Sequence, residues 1–176
     1  RIFEIHPNSG AVNIENVTLR EGYSVDDGGA IQNWSKSTLT IKNVIFHKNY
    51  ASSVGGAINH DDPAAYDWKI APVVPPRAGR IDIIDSTFQR NYAGGGGAAI
   101  NNTASGVITI RNSQIVDNPG PMIDDPTFVP DPTNPHEPIP QVPAPGVFEP
   151  DSSAIENQAQ HDTVGTIRIY GSVIAR

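Results

Sequence analysis

Three pairs of adjacent aspartates, Asp26-Asp27, Asp61-Asp62 and Asp124-Asp125, are the residues best suited to chemistry in this chain. Clustered carboxylate oxygens can flank a glycosidic bond as acid and base or nucleophile, or they can hold calcium. Each pair sits beside a turn, where solvated aspartates are common, so the plain reading is a turn residue. Asp61, Asp62, Asp124 and Asp125 are the candidate calcium ligands, and no other cofactor is expected. The histidines His6, His47, His60, His136 and His161 are scattered without an HExxH or other metal-ligand spacing. The absence of cysteine removes thiolate metal sites, cysteine nucleophiles and disulfides. No GxGxxG or Walker pattern is present to cradle a phosphate.

The elements that must position these residues follow from composition and repetition. A length of 176 residues predicts one domain, 1–176, and the 16 Gly and 16 Pro predict many turns rather than long helices. The balance of 12 basic against 19 acidic side chains, a formal net of −7, repels nucleic acid and anionic membranes at long range. No apolar stretch approaches a membrane span, and no signal-peptide pattern begins at Arg1.

One unit recurs along the chain. Thr38 to Asn49 matches Arg80 to Asn91 position by position; Val107 to Asn118 and Ala11 to Gly22 repeat it, as does the slightly shorter Thr166 to Arg176. The central isoleucines Ile14, Ile41, Ile83, Ile110 and Ile169 are 27, 42, 27 and 59 residues apart, a unit of 27 with insertions of 15 and 32 residues. Within each unit apolar and polar residues alternate, as in Thr38-Leu39-Thr40-Ile41-Lys42, the period-two signature of a strand with one buried face. A single rung cannot bury its apolar side, so rungs must stack. The predicted fold is all-β, a right-handed parallel β-helix of about five rungs. Its core columns are Val12, Leu39, Ile81, Ile108, Ile167 and Leu19, Phe46, Phe88, Ile115, Ile174.

A second element precedes most units as Gly28-Gly29-Ala30-Ile31, Gly55-Gly56-Ala57-Ile58, Gly97-Ala98-Ala99-Ile100 and Ser152-Ser153-Ala154-Ile155, which reads as a small-small-Ala-Ile strand beginning each rung. Its glycine pairs predict tight corners and close backbone approach. The column Asn16, Asn43, Asp85, Asn112 falls where a rung must turn, a place for left-handed backbone and stacked amides. The column Thr40, Asp82, Thr109, Arg168 is expected to be exposed, and its mixed chemistry does not form the flat threonine face of an ice-binding solenoid.

The alternation of Gly28–Ile31 and Gly55–Ile58 with Phe46–Asn49 and Phe88–Asn91 resembles the GGAI and FxxN motifs of the bacterial polymorphic outer-membrane proteins and related β-helix adhesins. The resemblance covers about residues 11–118 and 152–176, with departures at GAAI, SSAI and the units Leu19–Gly22 and Ile115–Asn118, which lack Phe. It implies a surface-exposed or secreted module, extracellular and adhesin-like.

Ile2-Phe3-Glu4-Ile5 takes the place of a strand preceding the first unit, and both chain ends interrupt a rung without a polar cap. A fragment of a longer β-helix, or ends that stack on neighbours, would each explain this. The insertions, at about 61–77 and 119–151, are expected to project from the solenoid. The second contains eleven prolines from Pro119 to Pro150, which exclude a central strand. Tyr66 and Trp68 in the first, and Met122, Phe128, Ile139 and Phe148 in the second, form the expected interaction surface. The expected partner is the chain itself, another surface protein or carbohydrate. The competing expectation is a polysaccharide lyase or glycoside hydrolase using carboxylates near Asp61, Asp62 and Asp85, although the NTD, GHG and RIK motifs of pectin-degrading hydrolases are missing; no catalytic residue is assigned.

Overall fold

The computed structural model describes residues 1–61, 79–103, 106–118, 154–157, 159–160 and 163–175. Each alternating segment is a strand, and strands from successive units pair in parallel. Sheet A contains β1 (Phe3–Ile5), β5 (Ile31–Asn33), β9 (Ile58–His60), β13 (Ile100–Asn102) and β16 (Ile155–Asn157). Sheet B contains β2 (Val12–Glu15), β6 (Thr38–Lys42), β10 (Arg80–Ile84), β14 (Val107–Arg111) and β19 (Thr166–Tyr170). Sheet C contains β3 (Thr18–Arg20), β7 (Ile45–His47), β11 (Thr87–Gln89), β15 (Gln114–Val116) and β20 (Val173–Ala175). A short sheet D contains β4 (Tyr23–Ser24), β8 (Tyr50–Ala51) and β12 (Tyr92–Ala93), and β17 (Ala159–Gln160) with β18 (Thr163–Val164) forms a small antiparallel ribbon. The chain visits the four parallel sheets in turn and then returns one layer further on, which makes it a parallel β-helix.

The insertions do not disturb the register. Leu39 pairs with Ile81 and Ile41 with Ile83 across the first, and Ile108 pairs with Ile167 across the second. All the proposed core columns are in register along the solenoid. Leu39, Ile41, Phe46, Ile81, Ile83, Phe88, Ile108, Ile110 and Ile115 are fully buried. Phe46 and Phe88 stack with centroids 4.4 Å apart and planes within 8°. The columns open out on the last rung, where Ile169 is 42% and Ile174 47% exposed. As expected, the N-terminal segment supplies the sheet A strand before the first unit, with Phe3 opposite Ile31 and Ile5 opposite Asn33.

Two corners carry left-handed backbone at residues other than glycine. Between sheets B and C, Asn16, Asn43, Asp85, Asn112 and Gly171 have φ of 56°, 51°, 50°, 49° and 55°, as the Asn column predicts. The Asn43 amide donates to Asn16 Oδ1 at 2.9 Å. The second corner, between sheets C and D, was not read from the sequence: Glu21, Lys48, Arg90 and Asp117 have φ of 57°, 54°, 55° and 51°.

The asparagine that ends FxxN is buried beside this second corner and explains the motif. Asn91 Nδ2 donates to the carbonyl of Phe46 on the preceding rung and to Asn118 Oδ1 on the next, at 3.1 and 2.9 Å. Its Oδ1 accepts from both the backbone N–H and the amide of Asn49. Asn49 and Asn118 repeat the pattern with the carbonyls of Leu19 and Phe88. The phenylalanine thus contributes its ring to the core and its carbonyl to the next asparagine.

Two sequence expectations need correction. The small-small-Ala segment is a bend, and the strand begins only at the isoleucine. Gly28, Gly55 and Gly97 have φ of 62°, 68° and 56°; a Cβ on Gly56 would collide with the carbonyl oxygens of Ala98 and Tyr92 on the next rung. The first glycine is therefore demanded by conformation and the second by close approach. Thr109, expected to be exposed, is 1% exposed between half-buried Asp82 and exposed Arg168 in its column.

Ile83 lies at the centre of the stack, so Ile83→Asp is expected to unfold it. An unpaired carboxylate there costs several kcal/mol against a domain stability of about 5–15 kcal/mol. Circular dichroism melting should show loss of the cooperative transition, and a midpoint within a degree or two of the parent would contradict the register.

Candidate functional site

Of the carboxylates that could do chemistry, Asp26, Asp27 and Asp61 lie among the described residues. Asp62, Asp124 and Asp125, and the interaction residues Tyr66, Trp68, Met122, Phe128, Ile139 and Phe148, lie outside them. Asp26 is exposed and its N–H donates to Ser24 Oγ at 3.2 Å, while Asp27 Oδ1 accepts from the Val54 N–H at 3.3 Å. These are turn and inter-rung contacts. Asp61 is buried at the end of sheet A, with its N–H donating to the Asn33 carbonyl at 2.9 Å.

Asp61 and Asp85 do not share a site. The Asp61 and Gly79 N–H groups donate to the carbonyls of Asn33 and Ser35 on the rung below, which places Asp61 near the start of the sheet B strand Arg80–Ile84, and Asp85 follows its end. Five extended residues span roughly 16 Å at about 3.3 Å each, beyond the separation of a glycosidase carboxylate pair. Among the described residues no group of three or more His, Asp or Glu is placed to hold a metal ion.

The first insertion is anchored by side chains at its base. His60 is fully buried; its Nδ1 lies 3.0 Å from Asn33 Nδ2 and its Nε2 lies 3.2 Å from the Gly79 carbonyl. With the Asn33 amide donating to Nδ1, Nε2 is placed to donate to the Gly79 carbonyl. The Gly79 N–H donates to the Ser35 carbonyl at 2.8 Å, so both sides of the insertion return to the rung below. The second insertion leaves after buried Asn118 and returns at Ala154, whose carbonyl accepts from Ala99 and Ile100. The first insertion therefore departs from one margin of sheet A, and the second rejoins the rung at the other.

A charged surface occupies the corner between sheets C and D. Arg20 and His47 pair in register on the outward face of sheet C, flanking inward Leu19 and Phe46. Lys48 and Arg90 follow them on the left-handed column, with Glu21 and Asp117 at its two ends. None of these six residues makes an ion pair with a described partner. Desolvation, then the neighbouring Lys48 and Arg90 charges, push the His47 imidazole below its ordinary pKa; Arg20 acts in the same direction and Glu21 opposes.

Tyr23, Tyr50 and Tyr92 stand two positions beyond Glu21, Lys48 and Arg90. Their rings stack with centroid spacings of 5.1 and 5.2 Å and planes within 5° and 9°. Burial raises the Tyr50 pKa, keeping its phenol protonated, while a hydrogen bond with Ser52 opposes the shift. The sequence carried the signal for both features: Phe46-His47-Lys48-Asn49-Tyr50 and Phe88-Gln89-Arg90-Asn91-Tyr92 align through the tyrosine. The unit Thr38–Asn49 and its copy Arg80–Asn91 end one residue before this tyrosine.

These features define a parallel β-solenoid whose outward corner carries cations and stacked phenols. No family model, curated protein or solved structure matches the chain.

His47 is expected to titrate below its ordinary value of about 6.5. Salt at about 0.5 M should move it partway back, because ions screen the Lys48 and Arg90 charges and leave desolvation in place. As pH falls through about 6.5 the unfolded chain takes up this proton first, so the His47 contribution to stability is lost below that pH and unaffected above it. An NMR titration placing His47 above 6.5, or a His47→Gln variant with greater acid sensitivity than the parent, would contradict the assignment.

Proposed function

We propose that the chain is a non-catalytic module of an extracellular or bacterial cell-surface protein, serving as a structural scaffold with adhesin-like contact surfaces. The supporting observation is the continuity of the axial ladders. The inward columns hold adjacent rungs together, as do the asparagines Asn49, Asn91 and Asn118 and the serines Ser86, Ser113 and Ser172. A rod braced in this way suits the display of surfaces at fixed spacing.

The contact surfaces in this reading are the outward faces and the two insertions. Tyr66 and Trp68, with Met122, Phe128, Ile139 and Phe148 of the proline-rich arm, supply apolar anchors to a partner protein, to carbohydrate or to another copy of the chain. Proline restricts an arm before it binds and lowers the entropy lost on docking. Full burial of two such anchors contributes on the order of 3–6 kcal/mol.

Polygalacturonate and alginate incubated with the purified chain, with and without calcium, should keep their viscosity and yield no new chain ends. Turnover abolished by Asp61→Asn or Asp62→Asn would replace the scaffold reading with an enzyme. Deleting 119–151 should alter the assembly state measured by light scattering; an unchanged state, together with rapid proteolysis throughout the arm in the parent, would remove the arm from the contact surface.

A further inference from the structure

We propose that the corner between sheets C and D is a binding surface for a short acidic glycan, with carboxylates on the Arg20–His47–Lys48–Arg90 stripe and sugar hydroxyls on the adjacent tyrosine ladder. The inference rests on the non-catalytic binding reading and gives it a ligand class and a site outside both insertions.

The charge geometry sets the size of the ligand. The stripe runs diagonally, from Arg20 on the first rung to His47 and Lys48 on the second and Arg90 on the third. Three rungs span about 10 Å at roughly 4.8 Å per step. Glu21 stands beside the beginning of the stripe and Asp117 lies one rung beyond its end. These carboxylates confine an anionic ligand to a few sugar units, and the formal net charge of −7 disfavours a long polyanion. The cations Arg20, Lys48 and Arg90 and the imidazole of His47 make no internal ion pair with described residues, leaving the three charges and a protonatable ring available to a ligand.

The tyrosines distinguish a glycan from a nucleic acid. Single-stranded nucleic acid is held by stacking bases on aromatic faces, and here those faces pack on one another at 5.1 and 5.2 Å. A phenol edge can both donate and accept hydrogen bonds, the chemistry required by a ring bearing several hydroxyls. Tyr23 is 42% exposed and Tyr50 and Tyr92 are half-buried, so the ladder supplies a wall beside the charges. Lys48 and Arg90 occupy left-handed backbone at φ 54° and 55°, conformations in which asparagine or glycine is less strained.

Tetragalacturonate added to the full chain tests the proposal by NMR, with His47 as reporter. A bound carboxylate should raise the His47 pKa and shift the Tyr23, Tyr50 and Tyr92 ring signals, and neutral cellotetraose should do neither. The Lys48→Asn/Arg90→Asn double variant retains a residue suited to the corner conformation, so circular dichroism should match the parent while half-saturation rises at least tenfold. No His47 response at millimolar tetragalacturonate, an equal response to cellotetraose, or tighter binding of oligothymidylate would overturn the proposal. Binding retained in the double variant but lost on deletion of 119–151 would also overturn it, leaving the scaffold reading intact. Cleavage of the bound tetramer that Lys48→Asn/Arg90→Asn prevents would instead refute the scaffold reading and leave the binding surface standing.

Discussion

Inward side chains on one rung are buried chiefly by the same positions on the rungs above and below, and the other features of the molecule depend on that axial stacking. Leu39 lies against Val12 on one side and Ile81 on the other, and Phe46 lies between Leu19 and Phe88. A rung alone would expose these residues to water, as the last rung does with Ile169 and Ile174. Shifting one strand by a single residue would turn its apolar set outward and its polar set inward, so hydrophobicity fixes the register as well as the stability. This is why the pairing resumes in the same register after each insertion.

Stacking also gives the corners their chemistry. Where a rung turns, its polar groups can be satisfied by identical groups one step along the axis, which suits short amides and hydroxyls. Buried Asn49, Asn91 and Asn118 pass hydrogen bonds from rung to rung while capping the carbonyls of Leu19, Phe46 and Phe88. Ser86, Ser113 and Ser172 do the same nearer sheet B, each accepting from the backbone N–H of the preceding rung. An unsatisfied buried group of this kind costs about 1–3 kcal/mol, so each ladder specifies the turn at its own corner. The outward residues beside the ladders carry no such duty, and the cationic stripe and the tyrosine stack occupy that freedom.

The parts of the fold legible in the sequence were those that repeat with conserved side-chain character. Apolar alternation at 27-residue spacing yielded the strands and core columns, and Asn16, Asn43, Asp85 and Asn112 marked a corner because asparagine and aspartate tolerate left-handed backbone. The second corner was hidden because Glu21, Lys48, Arg90 and Asp117 share neither charge nor side-chain shape, although they share φ. Thr109 was misread because alternation reports which side of a strand a residue faces, not what covers that side. FxxN was visible as a pattern, but the role of its asparagine depends on a carbonyl 45 residues away in sequence, as between Asn91 and Phe46. Of the proposed site, Asp61 was placed beside a turn, whereas its burial and the His60 bridge to Gly79 follow from contacts between segments that periodicity does not report.

The central claim is that the chain stacks in continuous register through the first insertion, and cysteine pairs on the outward face of sheet B test it directly in a protein that has none of its own. Thr40 and Asp82 are register partners on adjacent rungs, 42 residues apart in sequence, and Thr40 is paired on its other side with exposed Asn13. Adjacent rungs place Cα atoms about 4.8 Å apart, within disulfide range, whereas two rungs place them roughly 9.6 Å apart, beyond it. Mild oxidation of Thr40→Cys/Asp82→Cys should give a rapid intramolecular disulfide detectable by mass spectrometry, and Asn13→Cys/Asp82→Cys, two rungs apart, should remain reduced under the same conditions. Equal crosslinking of both pairs, or crosslinking of the second alone, would contradict the register and the β-helix built on it.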